Sequence, residues 1–166
     1  MSTTLQAFQQ DHSTALARLE ALQRAARAIR EGASLQEVLP EISHFSDFME
    51  HALKVHFRQE EQALFPVLGE VIGHEGGPIA QMLIEHKEIQ ENHCILRRES
   101  TEQQPDRDMI VLAASRIVEI LAPHIQKEDY VLFPMAQRAL SKVQLDRIDE
   151  LAAQIGVQEE SDVRLR

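Results

Sequence analysis

The sequence predicts an all-α protein, an up-down-up-down antiparallel four-helix bundle followed by a short fifth helix at the C-terminus. The 166-residue chain has no Trp, one Tyr, six Gly and six Pro, and it is rich in Ala, Leu, Gln, Glu and Arg, which favours helices over sheets. Apolar residues recur three or four positions apart through four long segments, the spacing of helices with one buried face. Because the connections are short or moderate, neighbouring helices are expected to run antiparallel within one domain.

The first helix is predicted from Leu5 to Glu31. Its apolar residues are spaced three and four apart, and His12 falls on the same stripe, so this imidazole is expected to face the core of the bundle. Gly32 follows directly and offers a stop, since glycine readily adopts the left-handed conformation that ends many helices.

The second helix is preceded by Ser34, a residue type that often caps a helix N-terminus. Pro40 is expected either to open the long helix or to bend its first turns. The helix is predicted to reach about Glu70 and to kink at Pro66, because proline lacks a backbone donor and crowds the preceding turn.

A glycine-rich loop at residues 73–78 divides the chain into two halves. Its last residue, Pro78, suits the first turn of a third helix, whose apolar stripe also holds His86 and His93. That helix is expected to end near Glu99, where a polar stretch begins. The loop is therefore predicted to be the boundary between two similar helical hairpins.

The fourth helix is predicted to begin near Asp106 or Asp108, because an aspartate at this position accepts hydrogen bonds from the free N–H groups of the first turn. It is expected to continue to about Leu140. Pro123 lies inside this span, so a bend is expected there.

A fifth helix is predicted over residues 143–155, because residues 141–144 have the form of a capping box. Gly156 is expected to end this helix. A single domain is thus predicted to cover residues 1–156, and residues 157–166 are expected to form a polar tail.

One sequence pattern occurs twice, at residues 56–66 and 124–134, and both copies read H-x-x-x-E-acid-x-x-L-F-P. Residues four apart lie one turn apart on the same helix face, so each copy directs an imidazole and a carboxylate the same way. Such pairs are common on wet helix surfaces, where they contribute only about 0.2–0.5 kcal/mol. Here the neighbouring positions on the same face are apolar, so both pairs are expected to be buried.

The four predicted helices bring the two repeated motifs and two further histidines to one level of the bundle. His12 and His86 lie early in their helices, whereas the two repeated motifs lie in the later parts of theirs. In an antiparallel bundle those starts and ends share one end, and at about 1.5 Å per residue the side chains fall within roughly 10 Å of one level. The candidate metal ligands are therefore His12, His56, Glu60, His86, His124 and Glu128.

A metal centre would explain why these polar groups are buried. Burying them without partners would cost several kcal/mol each, which a small domain cannot sustain. Imidazole with carboxylate suits iron, with manganese or zinc as substitutes, rather than calcium or magnesium, which prefer oxygen ligands. The set suits two ions, each Glu bridging them and each ion taking two His. Coordination positions of the ions that the protein leaves open would accept water, hydroxide, oxygen, nitric oxide or peroxide.

Charge and composition argue against several other classes of protein. The formal net charge of −10 argues against a nucleic-acid partner and against attraction to an anionic membrane surface. The N-terminus lacks the pattern of a signal peptide, and no stretch reaches the roughly 18–20 apolar residues of a membrane span. A cytoplasmic location is therefore expected, and the single Cys94 is expected to be a buried or half-buried thiol. The oligomeric state stays open, a homodimer included.

Some residues near the candidate ligands are expected to have other roles. His93 lies too far along its helix from His86 to bind the same ions, so a core histidine with a hydrogen-bond partner is expected. Glu61 and Asp129 each follow a candidate ligand and should point about 100° away from it, into solvent. Tyr130 is a candidate hydrogen-bond donor to a residue that supports a ligand.

With these residues the sequence resembles the haemerythrin-like family, also called the HHE cation-binding domain, from His12 to about Leu140. The family pattern is a His on helices one and three and H-x-x-x-E on helices two and four, and the resemblance implies a non-haem di-iron centre. Oxygen-carrying haemerythrins have a fifth histidine where this chain has Gln90 and an aspartate where it has Glu128. The set is more similar to that of bacterial di-iron proteins linked to nitrosative and oxidative stress and to repair of iron–sulfur clusters.

The favoured hypothesis is a di-iron protein that reacts with oxygen, nitric oxide or peroxide in iron handling, sensing or stress defence, and whether it is an enzyme stays open. One alternative is reversible oxygen storage or sensing, which Gln90 disfavours, because fewer nitrogen ligands leave both ions open. A second is a scaffold bundle with a structural metal, although structural sites are usually closed tetrahedra. A ferritin-like oxidase is less consistent, because that class uses E-x-x-H spacing.

Overall fold

Five helices make up the chain within residues 2–164, the part that the computed structural model describes. The helices are α1 (Thr3–Arg30), α2 (residues 35–72), α3 (Pro78–Thr101), α4 (residues 107–139) and α5 (Lys142–Arg164). The predicted all-α class is confirmed.

The first four helices form the expected bundle. α1 and α2 make one hairpin and α3 and α4 make the other, while α1 also packs against α4 and α2 against α3. α5 packs across the later part of α2 and against α1, where the Ser2 hydroxyl donates a hydrogen bond to Asp149 at 2.5 Å. Within the described part of the chain, no helix has both the length and the apolar character needed to cross a membrane.

α2 and α4 each contain π turns, in which backbone hydrogen bonds reach five residues back instead of four. In α2, the α-helical parts Leu35–Phe48, Lys54–Gln59 and Phe65–Ile72 are separated by π turns at Met49–Leu53 and Glu60–Leu64. In α4, the α-helical parts Arg107–Lys127 and Phe133–Ala139 flank a π turn at Glu128–Leu132. Each copy of the repeated motif therefore contains a π turn that begins at its Glu.

The prolines of the two L-F-P sequences lie two residues after the π turns that begin at Glu60 and Glu128 have ended. Phe65 donates its backbone N–H to the carbonyl of Glu60, five residues back, and the equivalent bond closes the π turn in α4. Pro66 comes next and has no N–H, so it needs no acceptor where the ladder returns to the α-helical pattern. The irregularity predicted at Pro66 is thus a π turn that ends two residues before the proline.

The helix ends agree largely with the signals in the sequence. Ser34 precedes α2, and its backbone N–H donates to the Glu37 carboxylate at 3.0 Å, as in a capping box. Pro40 lies inside α2 rather than at its start. The Asp106 side chain accepts hydrogen bonds from two N–H groups of the first turn of α4. Gly32 has a φ of 97°, the left-handed conformation that suits the turn after α1.

The fifth helix is longer than predicted, because Gly156 does not end it. α5 continues through Gly156, whose φ is not positive. A glycine inside a helix costs about 1 kcal/mol relative to alanine but does not by itself stop the helix. Packing on α2 compensates, since the Gln59 amide donates to the Ala152 carbonyl at 2.9 Å and Arg58 pairs with Glu159. The described part of the expected polar tail is therefore helical.

Two apolar clusters fill the bundle, one on each side of a polar layer. The first cluster includes Ala15, Leu22, Ile42, Phe45, Ile89 and Ile117. The second cluster includes Leu5, Phe8, Leu64, Leu68, Met82 and Ile148. Along each of the four helices the candidate ligands lie between residues of the two clusters, as His12 does between Phe8 and Ala15. The candidate ligands are therefore enclosed by apolar side chains on both sides.

Candidate metal centre

The six candidate ligands meet in the polar layer, and no more than 3% of the surface of any of them is exposed. Their ligand atoms form two groups, within each of which the atoms lie within 4.8 Å of one another. One group is His12, His56, Glu60 and Glu128, and the other is Glu60, His86, His124 and Glu128. The two glutamates belong to both groups, as expected if they bridge two ions.

Each shared carboxylate lies between one imidazole of each group. Glu60 Oε1 is 3.2 Å from His56 Nε2, and Glu60 Oε2 is 3.3 Å from His86 Nε2. The Nε2 atoms that flank Glu128 Oε2 are those of His12 and His124, both at 3.2 Å. All four Nε2 atoms therefore point toward the shared carboxylates.

The two shared carboxylates lack hydrogen-bond partners. Both oxygens of Glu60 and of Glu128 are buried, as is His56 Nε2, and none of these atoms has a hydrogen-bond partner among the described residues. The imidazole nitrogens come near without lying in the directions that hydrogen bonds require. An unpaired buried carboxylate is costly. A metal ion coordinated by these oxygens and by Nε2 would remove that cost, so the donor set fits two such ions.

The other ring nitrogen of each histidine points to a second carboxylate. The Nδ1 distances are 2.8 Å from His12 to Asp129, 3.0 Å from His56 to Asp11, 2.8 Å from His86 to Glu61 and 2.8 Å from His124 to Glu85. An ionised carboxylate only accepts hydrogen bonds, so Nδ1 carries the proton and donates it. Each neutral imidazole is thereby fixed in the tautomer whose Nε2 lone pair faces the polar layer, as a metal ligand requires.

The positions of Glu61 and Asp129 contradict the prediction that both point into solvent. That prediction assumed an α-helix, in which successive side chains diverge by about 100°. Both residues lie in π turns, whose wider rings bring successive side chains closer in direction. Their side chains are 33% and 23% exposed, and each reaches a histidine of the other hairpin.

A sequence signal for these outer carboxylates does exist. Each one is adjacent in sequence to a candidate ligand: Asp11 to His12, Glu61 to Glu60, Glu85 to His86 and Asp129 to Glu128. An acidic residue, Asp or Glu, therefore recurs at the same place in both halves of the chain. That repetition indicates a role beyond solubility, although it does not reveal which histidine each acid contacts.

Tyr130 is not the supporting hydrogen-bond donor considered above, because its side chain is 80% exposed. One residue that supports a candidate ligand is Glu85, and Lys127, rather than Tyr130, donates to it. Glu85 also accepts hydrogen bonds from His124 Nδ1 and from the Gln81 amide, the latter at 2.9 Å. Burial alone would raise the pKa of Glu85, but the hydrogen bonds from His124 and Lys127 outweigh burial and lower it to about 2. Glu85 is therefore an ionised acceptor near neutral pH.

Phenylalanine rings pack against the imidazoles. Phe57 stacks on His86, with centroids 3.9 Å apart and planes 15° apart. Phe133 stacks on His12 at 5.4 Å with planes 9° apart, and Phe65 lies 5.8 Å from His86. The Phe of each L-F-P sequence thus packs on a histidine of the other hairpin. This contact explains why the motif extends beyond its Glu.

The buried imidazoles attract protons when no metal competes for them. Burial by itself lowers the pKa of His56, but attraction by Glu60 and the hydrogen bond to Asp11 outweigh it and raise the pKa to about 10. For His124, burial is likewise outweighed by the Glu128 carboxylate 3.2 Å away and by the hydrogen bond to Glu85, and the pKa rises to about 9. Without metal, His56 and His124 therefore hold an additional proton near neutral pH.

His93 and Cys94 lie outside the centre. His93 is 4% exposed, and its Nδ1 is 3.8 Å from a Glu50 oxygen. Burial lowers the pKa of His93, so it is a neutral core histidine, as predicted. Its Nε2, however, has no hydrogen-bond partner among the described residues, contrary to the expectation that it would have one. Cys94 is exposed, contrary to the expectation of a buried or half-buried thiol, because the residue next to a buried position on an α-helix points away from the core.

Fold and site together define a class of protein, a helical bundle in which His and carboxylate side chains from four helices converge in the core to bind metal. The sequence model of the hemerythrin HHE cation-binding domain matches residues 3–155. The chain therefore belongs to the hemerythrin HHE cation-binding domain family, as the resemblance in its sequence implied.

The chain is also similar to curated proteins named iron-sulfur cluster repair protein YtfE. It is 27% identical over 124 residues to the protein of Salmonella schwarzengrund (strain CVM19633), and the aligned residues cover 70% of this chain and 56% of that protein. It is 26% identical over 124 residues to the protein of Escherichia coli O157:H7, with the same coverage. The chain thus spans little more than half the length of these relatives.

Proposed function

We propose that this chain is a non-haem di-iron protein whose metal centre reacts with oxygen, nitric oxide or peroxide in iron handling, sensing or stress defence. The observation that carries the proposal is the pair of buried carboxylates, Glu60 and Glu128, whose oxygens have no hydrogen-bond partner among the described residues and lie between two pairs of imidazoles. A closed structural site needs only about four ligands on one ion. Four imidazoles and two carboxylates exceed that need, which argues against a scaffold with a structural metal.

Iron is the metal that best suits this donor set and the family, with manganese or zinc as substitutes. In the proposed centre His12 and His56 would hold one ion and His86 and His124 the other, and the two carboxylates that belong to both groups would be available to both ions. Each ion then has fewer protein ligands than the roughly six that iron commonly accepts, so a small ligand can bind. Bound iron would supply the redox chemistry for the proposed reaction.

The chain's own residues would prepare the centre for that chemistry. The four outer carboxylates hold each imidazole in one tautomer and orientation and make it a more basic ligand. The apolar clusters on both sides and the stacked phenylalanine rings keep bulk water away, which strengthens electrostatic interactions inside. Buried surroundings of this kind admit small ligands and exclude large ones.

The proposed part in stress defence takes support from the relatives, whose names describe repair of iron–sulfur clusters. Identity is 27% or lower and the chain spans 56% of their length. The core of the proposal is therefore reaction of a small ligand at the metal centre in the cytoplasm. A part in cluster repair is the extension that the relatives suggest.

Anaerobic reconstitution with ferrous iron tests the proposal. We expect about two iron ions per chain, and changes in the stopped-flow absorption spectrum when oxygen, nitric oxide and peroxide are added in turn. Glu60→Gln should lose iron, because it removes one bridging charge. The matched control is Glu91→Gln, the same change on a side chain that is 62% exposed.

Three outcomes decide between the hypotheses. A chain that binds no iron, or that binds iron and reacts with none of the three ligands, would rule the proposal out. Stable and reversible oxygenation in air would instead support oxygen storage or sensing. Equal loss of iron from Glu60→Gln and Glu91→Gln would show that the buried carboxylates are not the ligands.

A further inference from the structure

A patch of arginines covers the C-terminal half of α1, away from the metal centre. Between residues 18 and 30 the chain has four arginines and one glutamate, although its formal net charge is −10. Arg24, Arg27 and Arg30 are exposed, and none of them forms an ion pair with a carboxylate of any described residue. Three unpaired guanidinium groups therefore face solvent together on an acidic protein.

Arg27 and Arg30 line a groove between α1 and α4, and Arg24 lines a second cavity beside it on α1. One open cavity of about 140 Å³ is lined by Gln23, Arg27, Arg30, Ser115 and Glu119, together with small apolar residues. A second, shallower cavity of about 320 Å³ is lined by Glu20, Gln23, Arg24 and Arg27. Gln23 and Arg27 belong to both linings, so the second cavity adjoins the groove.

The arginines are not needed to cap the end of α1. Basic residues in a last helical turn commonly bond the free carbonyl groups there, but in this protein that contact comes from α4. Arg107 donates to the carbonyls of Ile29 and Ala33, at 3.2 and 2.7 Å. Arg27 and Arg30 are therefore available for another partner.

The side chains around the groove favour an anion. Arg30 donates to the Ser115 hydroxyl oxygen at 2.7 Å, which holds its guanidinium across the groove and leaves the hydroxyl hydrogen free to donate. Glu119 is paired with Arg116 at 3.6 Å, so part of its charge is neutralised. Glu20, at the far end of the second cavity, is the opposing charge that remains.

We propose that this groove binds a phosphate group, either free phosphate or the phosphate of a small molecule. Guanidinium groups form paired hydrogen bonds with phosphate oxygens, and several arginines together suit a tetrahedral dianion better than a single carboxylate. The smaller cavity has room for the phosphate between Arg27, Arg30 and Ser115. The adjoining cavity beside Arg24 would take the polar body of a phosphomonoester. This site is independent of the metal centre.

Isothermal titration calorimetry on the iron-loaded full chain tests the proposal, with inorganic phosphate and glycerol 3-phosphate as probes against chloride at equal ionic strength. The double variant Arg27→Gln/Arg30→Gln should weaken binding about tenfold or more, because two charged hydrogen-bond donors are lost. The matched control is Arg18→Gln/Arg138→Gln, which removes the same charge from exposed positions that line neither cavity. Circular dichroism melting checks that both variants fold.

Binding that the first double variant weakens and the control double variant keeps would support the site. Any phosphate bound at iron would be unchanged in both variants, so it cannot imitate this result. Tighter binding of glycerol 3-phosphate, lost in Arg24→Gln, would assign the site to a phosphomonoester, whereas equal binding of the two probes would assign it to free phosphate. No saturable binding, or equal weakening in both double variants, would overturn the proposal.

Discussion

Replacing Asp129 tests how far the centre depends on carboxylates beyond the proposed metal ligands. Asp129 accepts a hydrogen bond from His12 Nδ1 at 2.8 Å, and its side chain is 23% exposed. Asp129→Ala removes both the orientation and the charge, and such changes typically weaken metal binding about 10–100-fold. Asp129→Asn keeps an acceptor but loses the charge. Since a charge-assisted bond is about 1 kcal/mol stronger than a neutral one, this variant should bind metal about fivefold more weakly.

The assay is competition for metal between the protein and a chromophoric chelator. The expected order of affinity is wild type, Asp129→Asn and then Asp129→Ala. Glu61→Gln and Glu61→Ala should repeat this order with somewhat smaller effects, because the Glu61 side chain is 33% exposed and its charge is more screened by solvent. Asp47→Asn makes the same charge change at an exposed position of α2. Metal affinity of Asp129→Ala equal to that of Asp47→Asn would refute the reasoning.

Three further predictions concern stability. The pKa values of His56 and His124 are raised to about 10 and 9, so both imidazoles should stabilise the metal-free protein most below about pH 6.5. That stabilisation should be lost as pH rises through 9–10. Denaturant unfolding at several pH values checks this prediction, and a free energy of unfolding that does not change with pH would contradict it. Gly156→Ala should raise the unfolding free energy by up to about 1 kcal/mol, since a Cβ there meets only Gln59 Nε2 at 3.6 Å; a lower thermal midpoint would show strain instead. Phe57→Ala should lower the free energy of unfolding by about 3–5 kcal/mol, because the ring is 1% exposed and stacks on His86. Urea titration measures this change, and a loss of less than about 1 kcal/mol would show that the packing of this ring does not stabilise the fold.

The helices and the positions of the six candidate ligands could be predicted because both follow from local sequence. Apolar spacing marks the buried face of each helix, and Ser34 and Asp106 mark two of the starts. The pairing of His56 with Glu60 could also be predicted, because it requires only that the two residues lie one α-helical turn apart. The Glu60 N–H still bonds the His56 carbonyl, and the π turn begins at Glu60 rather than before it.

The outer carboxylates could not be placed from the sequence because their direction depends on the π turns. Residue propensities do not distinguish an α-helical turn from a π turn, and a single added residue per ring redirects Glu61 and Asp129 toward the core. The end of α5 was missed for a related reason. Gly156 continues the helix because α5 packs on α2 through Gln59 and Arg58, a tertiary contact that local propensity does not contain.

The contacts of the repeated motif connect the two hairpins. Asp11 and Glu85 support histidines of their own hairpins, His56 and His124. The acid after each of the two shared glutamates, by contrast, supports a histidine of the other hairpin, and the Phe of each L-F-P sequence packs on that same histidine.

Neither hairpin by itself therefore supplies a complete set of oriented ligands. A metal ion that binds only the closed bundle stabilises the bundle, and the stabilisation grows with the logarithm of the ratio of metal concentration to dissociation constant. Metal binding and the joining of the two hairpins should therefore be coupled. The duplicated motif would thus help to assemble the bundle around its centre as well as supply the proposed ligands.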